Sequence, residues 1–446
     1  MILNSLSILK DLERIQYFPQ HKIEELQTRK LRDVIKHAYE NVQHYRDLFD
    51  LAGIKPNDIK DKRDIYKIPI TTKKDLQVKA PQELLTYGIK PEDCVIKYTS
   101  GSTGQPLKFF LSKNERDFQS LINLRILQSA GFKLTDRTAY IINPHRFPKT
   151  KYWFQYLGIL RRYYLSVFDT PEIHRDALNY IKPDIIYGYP SNLTLLALLL
   201  KGQRNNGGIR PKIVFSSAET LEAKPRAIIT SVMDTNVYDI LGLVEVGDIA
   251  WECSAHKGYH INSDMVLLEF LDKNNKPVYA GQEGRLVCTS LYSYTMPLIR
   301  YEVGDICTPS DEVCFCGCTL PLMESIKGRA NDFIVLPDGR VIASCFLVIL
   351  MQSFTDVAQY RVIQEDIHGL TVQVVKGTNF KDHTLRKIKE EIERITNGSL
   401  AVEIKILEEL SRDESGKIRT VVSNVAPNLQ DKTDNQCIET VMRGRL

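Results

Sequence analysis

The feature of this sequence that most constrains its fold is a run of small and hydroxylated residues between two apolar, β-prone segments. The run, Thr99–Gly104, follows Cys94–Tyr98 and precedes Leu107–Leu111. Such flanks predict a hairpin held in a core, because a surface linker would be expected between polar segments. Glycines let the backbone approach a ligand, and successive N–H groups with Ser and Thr hydroxyls bind anions. The run predicts a phosphate-binding loop, with a flexible Ser/Gly turn as the alternative, and it lacks the G-x-x-x-x-G-K-[ST] pattern of the P-loop.

Around this run, predicted helices alternate with predicted strands, which is typical of an α/β fold. Helical spacing of apolar residues occurs in 5–50, Arg116–Gln128 and Leu193–Leu200. A buried strand is predicted at Ile213–Ser216, and strands with turns fill Val237–Cys307. The alternation predicts mixed sheets covered by helices.

The pattern changes after Gly328, where short strands surround the charged helix Asp382–Thr396. A chain of 446 residues has room for more than one domain. We therefore expect an N-terminal domain over residues 1–328 and a smaller α+β domain over residues 329–446.

Charge and cysteine content restrict the class of protein. The sum of 59 basic and 55 acidic residues is +4, too small to argue for nucleic-acid binding. The longest uncharged runs, Ile185–Leu200 and Val341–Thr355, are shorter than the ~20 apolar residues that span a bilayer. Nine cysteines without a recognisable secretion signal favour a reducing compartment, so we expect a cytoplasmic protein without a transmembrane segment.

The cysteines cluster with a histidine in a pattern that suits a metal. Cys253 and His260 are followed by Cys314, Cys316 and Cys318. Thiolates and imidazole at short spacing suit tetrahedral Zn²⁺, and four protein ligands would make the site structural. A few buried free thiols are the alternative.

A second unusual stretch, Arg137–Phe168, has six basic residues, nine aromatic residues and no acidic residue. Single-stranded nucleic acid or a membrane surface would match this composition. A core helix pair with a basic rim is the structural alternative.

Several motifs together resemble one known family. The run Thr-Ser-Gly-Ser-Thr-Gly-Gln-Pro resembles the phosphate-binding signature of the adenylate-forming enzymes, which activate carboxylic acids with ATP. The segments His37–Val42 and Ile68–Leu76 are similar to the opening of the phenylacetate–CoA ligase family, and to its subgroup associated with capsular polysaccharide biosynthesis. The resemblance covers nearly the whole chain. It implies a large N-terminal domain of mixed sheets and helices with several subdomains, and a small mobile α+β C-terminal domain.

The resemblance also implies a nucleotide site. Glu245 would hold Mg²⁺ against the ATP phosphates, Asp305 would bind the ribose, and Lys417 would be the catalytic lysine of adenylation. The family usually has tyrosine and a hydroxylated residue where this chain has Leu241 and Val244. The residues implied to contact ATP or AMP are Thr99, Ser100, Gly101, Ser102, Thr103, Gly104, Ser217, Ala218, Glu219, Asp239, Leu241, Gly242, Asp305 and Arg329.

Two further sets of residues follow from the resemblance. Relatives carry a similar Cys/His pattern, which implies Zn²⁺ ligands at Cys253, His260, Cys314 and Cys316 and leaves Cys318 as a spare thiol. In the family, the acid-free stretch helps to wall the acyl pocket. The candidates for substrate contacts in it are Arg146, Lys149, Arg161 and Arg162.

The expected reaction has two steps. A carboxylate, such as an aryl acid, attacks ATP to give acyl-AMP and pyrophosphate, and a thiol, expected to be CoA, then takes the acyl group. Two alternatives remain: a ligase whose acceptor is an amine, a hydroxyl or a carrier protein, and a non-catalytic scaffold paralogue, suggested by Leu241 and Val244. A homodimer is compatible with every one of these expectations.

Overall fold

A computed structural model of the protein describes residues 2–98, 107–148, 150, 152–201, 208–327, 333–354, 356–377, 380–411 and 420–425. None of the helices in these ranges is both long enough and apolar enough to cross a bilayer. In chain order the helices are α1 (Ile2–Ile15), α2 (Gln20–Asn41), α3 (Gln43–Leu51), α4 (Lys73–Gln77), α5 (Pro81–Leu84), α6 (Lys113–Ser129), α7 (Trp153–Tyr156), α8 (Pro171–Ile181), α9 (Pro190–Lys201), α10 (Ala223–Met233), α11 (Ser344–Gln352) and α12 (Asp382–Ile395).

Many strands lie where apolar and β-branched runs predict them, whereas others, such as Arg137–Ile142 and Arg161–Ser166, were not predicted. They are β1 (Val95–Tyr98), β2 (Lys108–Leu111), β3 (Arg137–Ile142), β4 (Arg161–Ser166), β5 (Ile185–Gly188), β6 (Ile213–Ser217), β7 (Asn236–Leu243), β8 (Gly247–Glu252), β9 (Tyr259–Ile261), β10 (Val266–Leu271), β11 (Gly284–Ser290), β12 (Tyr301–Ser310), β13 (Leu322–Lys327), β14 (Phe333–Val335), β15 (Val341–Ala343), β16 (Val357–Asp366), β17 (Gly369–Lys376), β18 (Ala401–Ile406) and β19 (Val421–Ser423). The strands β1 and β2 pair antiparallel, which confirms the predicted hairpin around the phosphate run.

The largest sheet has the strand order β10-β11-β12-β13-β9-β8-β7-β6-β5-β3-β4. Its strands from β4 to β7 run parallel, and helices α8, α9 and α10 connect them in succession. From β7 onward the pairing is antiparallel, beginning with the β7–β8 hairpin. This mixed sheet with covering helices confirms the predicted α/β fold class.

Helices bury both faces of the parallel half. Residues of β3, β5, β6 and β7 that face α8, α9 and α10 form one apolar core, whereas α1 and α6 cover the opposite face. Every residue of β6 is buried, which explains why this strand appears in the sequence as an uninterrupted small and apolar run.

Helix α6 begins at a capping box. Ser112 Oγ accepts a hydrogen bond from the Glu115 N–H at 3.2 Å, and Glu115 Oε2 accepts one from the Ser112 N–H at 2.7 Å. The other Glu115 oxygen accepts from the backbone N–H groups of Tyr294 and Thr295. The start of α6 is thereby tied to the antiparallel half of the molecule.

The acid-free stretch does not form the helix pair that was one reading of its composition. Its two ends are β3 and β4, which pair in parallel with Tyr140 opposite Tyr164, and α7 is a single turn between them. The β-prone Tyr163 and Tyr164 favour a strand over a helix. Because side chains alternate along a strand, Arg161 and Arg162 lie on opposite faces of β4.

The C-terminal elements have an apolar core of their own. A four-stranded sheet of order β18-β17-β16-β19 packs against α12 through Ile388 and Ile392. The buried Gln364 of β16 donates to the Val335 carbonyl at 2.6 Å and accepts from the Val335 N–H at 2.9 Å, which attaches the β14–β15 hairpin. The Phe346 ring meets Phe168 edge-on at 5.8 Å between centroids, so this part contacts the end of β4.

A fully buried ion pair joins α6 to the segment between β9 and β10. Arg125 Nη1 donates to Asp264 Oδ2 at 2.7 Å and Nη2 donates to Oδ1 at 3.1 Å, with both side chains 0% exposed. Burial alone would raise the pKa of Asp264, but the guanidinium outweighs it and holds that pKa below its ordinary value.

We expect Arg125→Met to lower the free energy of unfolding by about 3–5 kcal/mol, because it leaves a buried carboxylate without a partner. Urea unfolding at pH 7 measures the loss. Since the native pKa of Asp264 is depressed, the pair stabilises the protein above the unfolded-state pKa of about 3.9, and that stabilisation is lost as the pH falls through the native value. The difference in free energy of unfolding between the variant and the wild type should therefore become smaller at acidic pH.

Arg116→Met is the matched control, because its partner Asp117 lies on the same helix with both side chains more than one third exposed. An exposed pair contributes about 0–1 kcal/mol. Equal losses from the two variants would contradict the role given to the buried pair.

Candidate active site

Within the parallel half of the sheet, the direction in which the chain adds successive strands reverses between β3 and β5. The chain moves outward from β3 to β4 and then returns, through α8, to place β5 on the other side of β3. Open α/β sheets bind ligands at the carboxyl ends of their strands near such a switch point. Arg146 follows β3, Ala218 follows β6 and Glu245 follows β7, so three candidate residues lie at this edge.

The turn after β6 has a strained backbone. Ala218 has φ 75° and is exposed, a left-handed conformation that is uncommon for a residue with a Cβ. Such strain occurs preferentially at binding sites. The neighbouring Ser217 side chain is 7% exposed. The positions of Ser217 and Ala218 suit the adenine contacts that the resemblance implies.

Glu219 has a structural partner that the sequence did not indicate. Its Oε2 accepts a hydrogen bond from the Ser191 N–H at 3.0 Å, in the first turn of α9. A carboxylate at this position satisfies an unpaired backbone donor and interacts favourably with the helix dipole. The Glu219 side chain therefore ties the turn after β6 to the start of α9.

Asp239 lies inside the sheet rather than at its surface. The side chain is 3% exposed, and Ser216 Oγ donates to its Oδ1 while the Tyr259 hydroxyl donates to its Oδ2 at 2.8 Å. Burial raises the pKa of Asp239 to about 6, with the nearby Glu252 carboxylate acting in the same direction. Both oxygens accept hydrogen bonds from within the protein, so Asp239 supports the site from below, and its contact with the nucleotide stays a prediction.

Gly242 is required by a close approach across the β7–β8 hairpin. A Cβ at this position would lie 2.8 Å from Asp248 Oδ1 and 3.8 Å from Ser217 Oγ. Gly242 pairs with Asp248 in the register of the hairpin. The Leu241 side chain is half-buried and packs against the main core. The Asp248 carboxylate thus occupies the space directly above the glycine.

Glu245 and Asp305 form a second acidic region. The Tyr301 hydroxyl donates to Glu245 Oε1 at 3.2 Å. Burial raises the pKa of Glu245, Asp305 raises it further and Lys73 opposes the rise, which places all three charges in one neighbourhood. Oxygen ligands of this kind suit Mg²⁺. Lys73 belongs to the segment that resembles the family's opening, but nothing in the sequence connected it to Glu245.

Lys97 brings the end of β1 to the same edge. Its ammonium donates to Gln119 Oε1 on α6. Burial, followed by the nearby Arg146, lowers the pKa of Lys97 to about 8, against the opposite effects of Asp248 and Glu245. Lys97 lies two residues before Thr99, so the last described residues before the predicted phosphate run belong to this edge.

Lys97 and Asp248 lie at the site but were not predicted from the sequence. A lysine in an apolar strand directly before the phosphate run was the available signal for Lys97. Asp248 has no local signal, because only the β7–β8 register brings it to the site. The predicted site residues Thr99, Ser100, Gly101, Ser102, Thr103, Gly104, Lys149, Arg329 and Lys417 lie outside the described residues, so their roles stay predictions.

A row of aromatic rings crosses the five parallel strands on the face covered by α6. The centroids of Tyr164 and Tyr140 are 5.4 Å apart, those of Tyr140 and Tyr187 are 5.3 Å apart, and Phe215 and Tyr238 continue the row. These residues are opposite one another in the strand registers, which is why they share a face. The row forms an aromatic wall beside the switch point.

The basic residues predicted to contact the substrate do not all lie on the face that carries this aromatic wall. The Arg162 guanidinium lies 5.9 Å from the centroid of the Tyr140 ring, on the aromatic face. Arg161 lies on the other face and its Nη2 donates to the Thr135 carbonyl at 2.6 Å. Arg146 is exposed and close enough to Lys97 to influence its pKa. The structure therefore retains Arg146 and Arg162 as candidate contacts and gives Arg161 a backbone partner.

The four predicted metal ligands converge. The ligand atoms of Cys253, His260, Cys314 and Cys316 all lie within 4.8 Å of one another. The Cys253 and Cys314 sulfurs are 3.5 Å apart, and Cys316 Sγ is 3.3 Å from His260 Nε2. With Zn–S bonds of about 2.3 Å, tetrahedral geometry would place two sulfurs about 3.8 Å apart. The donor set and its size fit Zn²⁺.

Neighbouring groups orient these ligands as a metal site requires. His260 Nδ1 lies 3.0 Å from the Leu320 carbonyl, which directs Nε2 towards the thiols. The N–H groups of Ala255 and Cys318 each donate to a ligand sulfur at 3.4 Å. Burial raises the pKa of Cys253 to about 12 in the absence of a cation, and a bound metal would deprotonate such a thiol. Cys318 lies outside the group of four, as expected for a spare thiol.

The chain is similar to known proteins over most of its length. A family model described as the CapK C-terminal domain matches residues 334–424. The phenylacetate-coenzyme A ligase of Thermus thermophilus is 26% identical over 444 residues, covering 92% of this chain and 98% of that protein. Protein CapK of Staphylococcus aureus is 22% identical over 425 residues, covering 90% of this chain and 89% of that protein.

A solved structure shares the fold. The structure of 2-hydroxyisobutyryl-CoA ligase in complex with 2-HIB-AMP and CoA aligns with a TM-score of 0.65 at 20% identity. The alignment covers 92% of this chain and 91% of the ligase chain. The fold is therefore shared with an acyl-CoA ligase that forms an acyl adenylate. Over most of its length the chain is similar to phenylacetate-coenzyme A ligases, and residues 334–424 match the CapK C-terminal domain. The resemblance inferred from its motifs is confirmed.

Proposed function

We propose that the protein activates a carboxylic acid with ATP and transfers the acyl group to the thiol of coenzyme A. A carboxylate oxygen of the acid attacks the α-phosphorus, and the bond from that phosphorus to the bridging oxygen of pyrophosphate breaks. The thiol sulfur then attacks the acyl carbon, AMP leaves with its oxygen, and the thiol proton passes to solvent. Activation is needed because a carboxylate is a poor electrophile.

One observation carries this proposal: the strand that precedes the phosphate run brings a cation near the acidic residues at the carboxyl ends of the parallel strands. The Lys97 ammonium, at the end of β1, lies within electrostatic reach of Glu245 and Asp248. A phosphate-binding run that follows this strand would hold phosphates beside a Glu-bound cation. Chemistry of this type depends mainly on positioning and electrostatic stabilisation, and it needs no protein nucleophile.

The remaining roles follow from position and resemblance. Glu245 would hold Mg²⁺, which would neutralise phosphate charge, and Asp305 would accept hydrogen bonds from the ribose. Residues 329–446 would act as a lid that turns near Arg329 and alternately inserts and withdraws Lys417. The Zn²⁺ at Cys253, His260, Cys314 and Cys316 would be structural, because four protein ligands leave no position open. Thiolate ligands are best maintained in a reducing cytoplasm.

ATP–pyrophosphate exchange with a panel of carboxylic acids tests the first step, and AMP release with and without CoA tests the second. Exchange together with CoA-dependent AMP release would support the proposal. Exchange without any effect of CoA would favour an amine, a hydroxyl or a carrier protein as acceptor, as in a role in polysaccharide assembly.

Leu241 supports a second candidate, a non-catalytic binding protein. It packs against the core where relatives place a tyrosine, and Val244 supplies no hydroxyl for phosphate. Nucleotide binding without exchange for any acid would favour this candidate. Exchange with even one acid would exclude it.

We expect Glu245→Gln to raise the Mg²⁺ concentration required for half-maximal exchange by about tenfold or more. The amide keeps the size of the side chain but removes the charge that a divalent cation needs. A Mg²⁺ titration of exchange, with a melting curve to confirm folding, measures the effect. Glu312→Gln, at an exposed glutamate, is the control, and equal Mg²⁺ requirements for both variants would contradict the role of Glu245.

A further inference from the structure

A cluster of four polar side chains faces the site from β1, α6 and β8. It consists of Lys97, Gln119, Asn123 and Asp248, and is called the polar cluster below. Lys97 Nζ donates to Gln119 Oε1, and Asn123 Nδ2 donates to Asp248 Oδ2 at 2.8 Å. Gln119 is itself held by a 2.6 Å hydrogen bond to the Tyr292 hydroxyl. The cluster therefore positions one cation and one anion by way of α6.

The helix keeps these two charges apart on one side. Gln119 and Asn123 are four residues apart, so they lie on one face of α6 and about 6 Å apart along its axis. Their partners, Lys97 and Asp248, bind different positions on this face, and each charge is near enough to influence the pKa of the other. Across the described part of the chain, no ion pair joins the two.

Both charged groups keep unused hydrogen-bonding capacity. An ammonium has three donors, and within the described ranges only Gln119 accepts from Lys97. Asp248 Oδ1 accepts no hydrogen bond from a described residue. Lys97, Asn123 and Asp248 are all half-buried. Charged groups held in this way are costly unless something completes their hydrogen bonds.

The unused oxygen points to the centre of the candidate site. Asp248 Oδ1 covers Gly242, beside Ser217. The Tyr187 ring of the aromatic wall adjoins the same place, because Ser217 hydrogen-bonds its hydroxyl and Asp248 influences its pKa. The polar cluster thus borders the space between the turn after β6 and the aromatic wall, where an acid waiting for activation would lie.

Only some substituents match a donor and an acceptor that lie near each other without forming an ion pair. A hydroxyl oxygen at about 2.8 Å from each can bridge such a pair while donating to the carboxylate and accepting from the ammonium. A second carboxylate would be repelled by Asp248, and an ammonium would be repelled by Lys97. A hydrogen or methyl group would leave the remaining ammonium donors and Asp248 Oδ1 unpaired.

We propose that the acid carries a hydroxyl group that binds between Lys97 Nζ and Asp248 Oδ1, so that the enzyme selects hydroxylated carboxylic acids over their deoxy counterparts. This inference rests on the proposed acid activation and specifies its substrate class. A site built to hydrogen-bond a hydroxyl discriminates strongly against analogues that lack it, because its buried polar groups remain unpaired.

Matched pairs of acids test the inference in wild-type protein. ATP–pyrophosphate exchange is measured for 4-hydroxyphenylacetate and phenylacetate, 3-hydroxybenzoate and benzoate, and 3-hydroxybutyrate and butyrate. We expect kcat/KM to be at least about tenfold higher for the hydroxylated member of every pair that reacts. This comparison needs no variant, so it stays valid even if the substitutions below impair folding.

Single substitutions test whether the polar cluster causes the preference for hydroxylated acids. Lys97→Met and Asp248→Asn should each lower the ratio of kcat/KM for the hydroxylated acid to that for its deoxy counterpart by about tenfold or more, whatever their effect on the deoxy acid itself. The controls Lys113→Met and Asp176→Asn change charges that the structure leaves largely exposed, and both should keep the wild-type ratio.

The outcomes separate the inference from the proposed function. Exchange that is equal or faster with the deoxy acids overturns the inference and leaves acid activation intact. A preference that survives both cluster substitutions also overturns it. Absence of exchange with every acid overturns the proposed function and the inference together.

Discussion

Replacing Lys417 with alanine is expected to lower the rate of acyl-AMP formation by about 10²–10³-fold while leaving the overall fold unchanged. Attack of a carboxylate on the α-phosphorus concentrates negative charge, and a preorganised cation stabilises that charge strongly where water is excluded. Burst measurements of acyl-AMP formation at saturating ATP would measure the loss. Thioester formation from preformed acyl-AMP should change little, because the lysine is proposed to withdraw before that step.

The described residues on either side of the segment that contains Lys417 show where that segment joins the C-terminal sheet. Arg361 Nη1 donates to Ser411 Oγ at 3.0 Å, and the Val362 N–H donates to the Thr420 carbonyl at 2.8 Å. The chain therefore leaves and re-enters the described structure beside neighbouring residues of β16. Lys405→Ala on β18 is a suitable control, since its side chain is half exposed. Undiminished adenylation in Lys417→Ala would remove the lysine from the mechanism.

The second large effect is expected at the cysteine and histidine cluster. Cys314→Ser should reduce bound zinc from about one ion per chain to a small fraction, and should lower the melting temperature by several degrees or more. Removing one thiolate weakens a tetrahedral site sharply, and the free energy of metal binding contributes directly to stability. Elemental analysis of protein purified without chelator, with melting curves before and after chelation, measures both effects.

Cys318→Ser provides a close control for the metal site. Cys318 is 6% exposed and two residues from a proposed ligand, yet its sulfur is not among the four that converge. The Cys318→Ser variant should retain zinc and most of the wild-type stability. Equal zinc loss in both variants would mean that the ligand set is wrongly assigned, and wild-type protein without zinc would exclude a resident zinc site.

Much of the local structure could be predicted from sequence. The hairpin around the phosphate run, the buried strand β6 and the helix α12 follow from short-range apolar periodicity, and each is found close to its predicted bounds. The convergence of Cys253, His260, Cys314 and Cys316 was also predictable, because the family resemblance implied this set and thiols with an imidazole at short spacing suit a metal.

Several predicted site residues have partners distant in sequence that no local pattern could show. Glu219 was predicted beside the adenine, and its carboxylate also binds the start of α9. Arg161 and Arg162 were both candidate substrate contacts, and strand alternation places them on opposite faces of β4. Asp239 matched a ligand motif, but burial between Ser216 and Tyr259 gives it a supporting role.

By itself, then, the sequence determined many of the strands and helices, the α/β class, the resemblance to phenylacetate–CoA ligases and the four residues that converge as candidate metal ligands, since these depend on periodicity or on residue types with few alternative uses. Only the tertiary structure decided which side chains meet at the site. Lys97 and Asp248 are 151 positions apart, and they lie on one side of α6 because the β7–β8 register and the helix repeat place them there. Those distances arise from packing between elements, which no local pattern encodes.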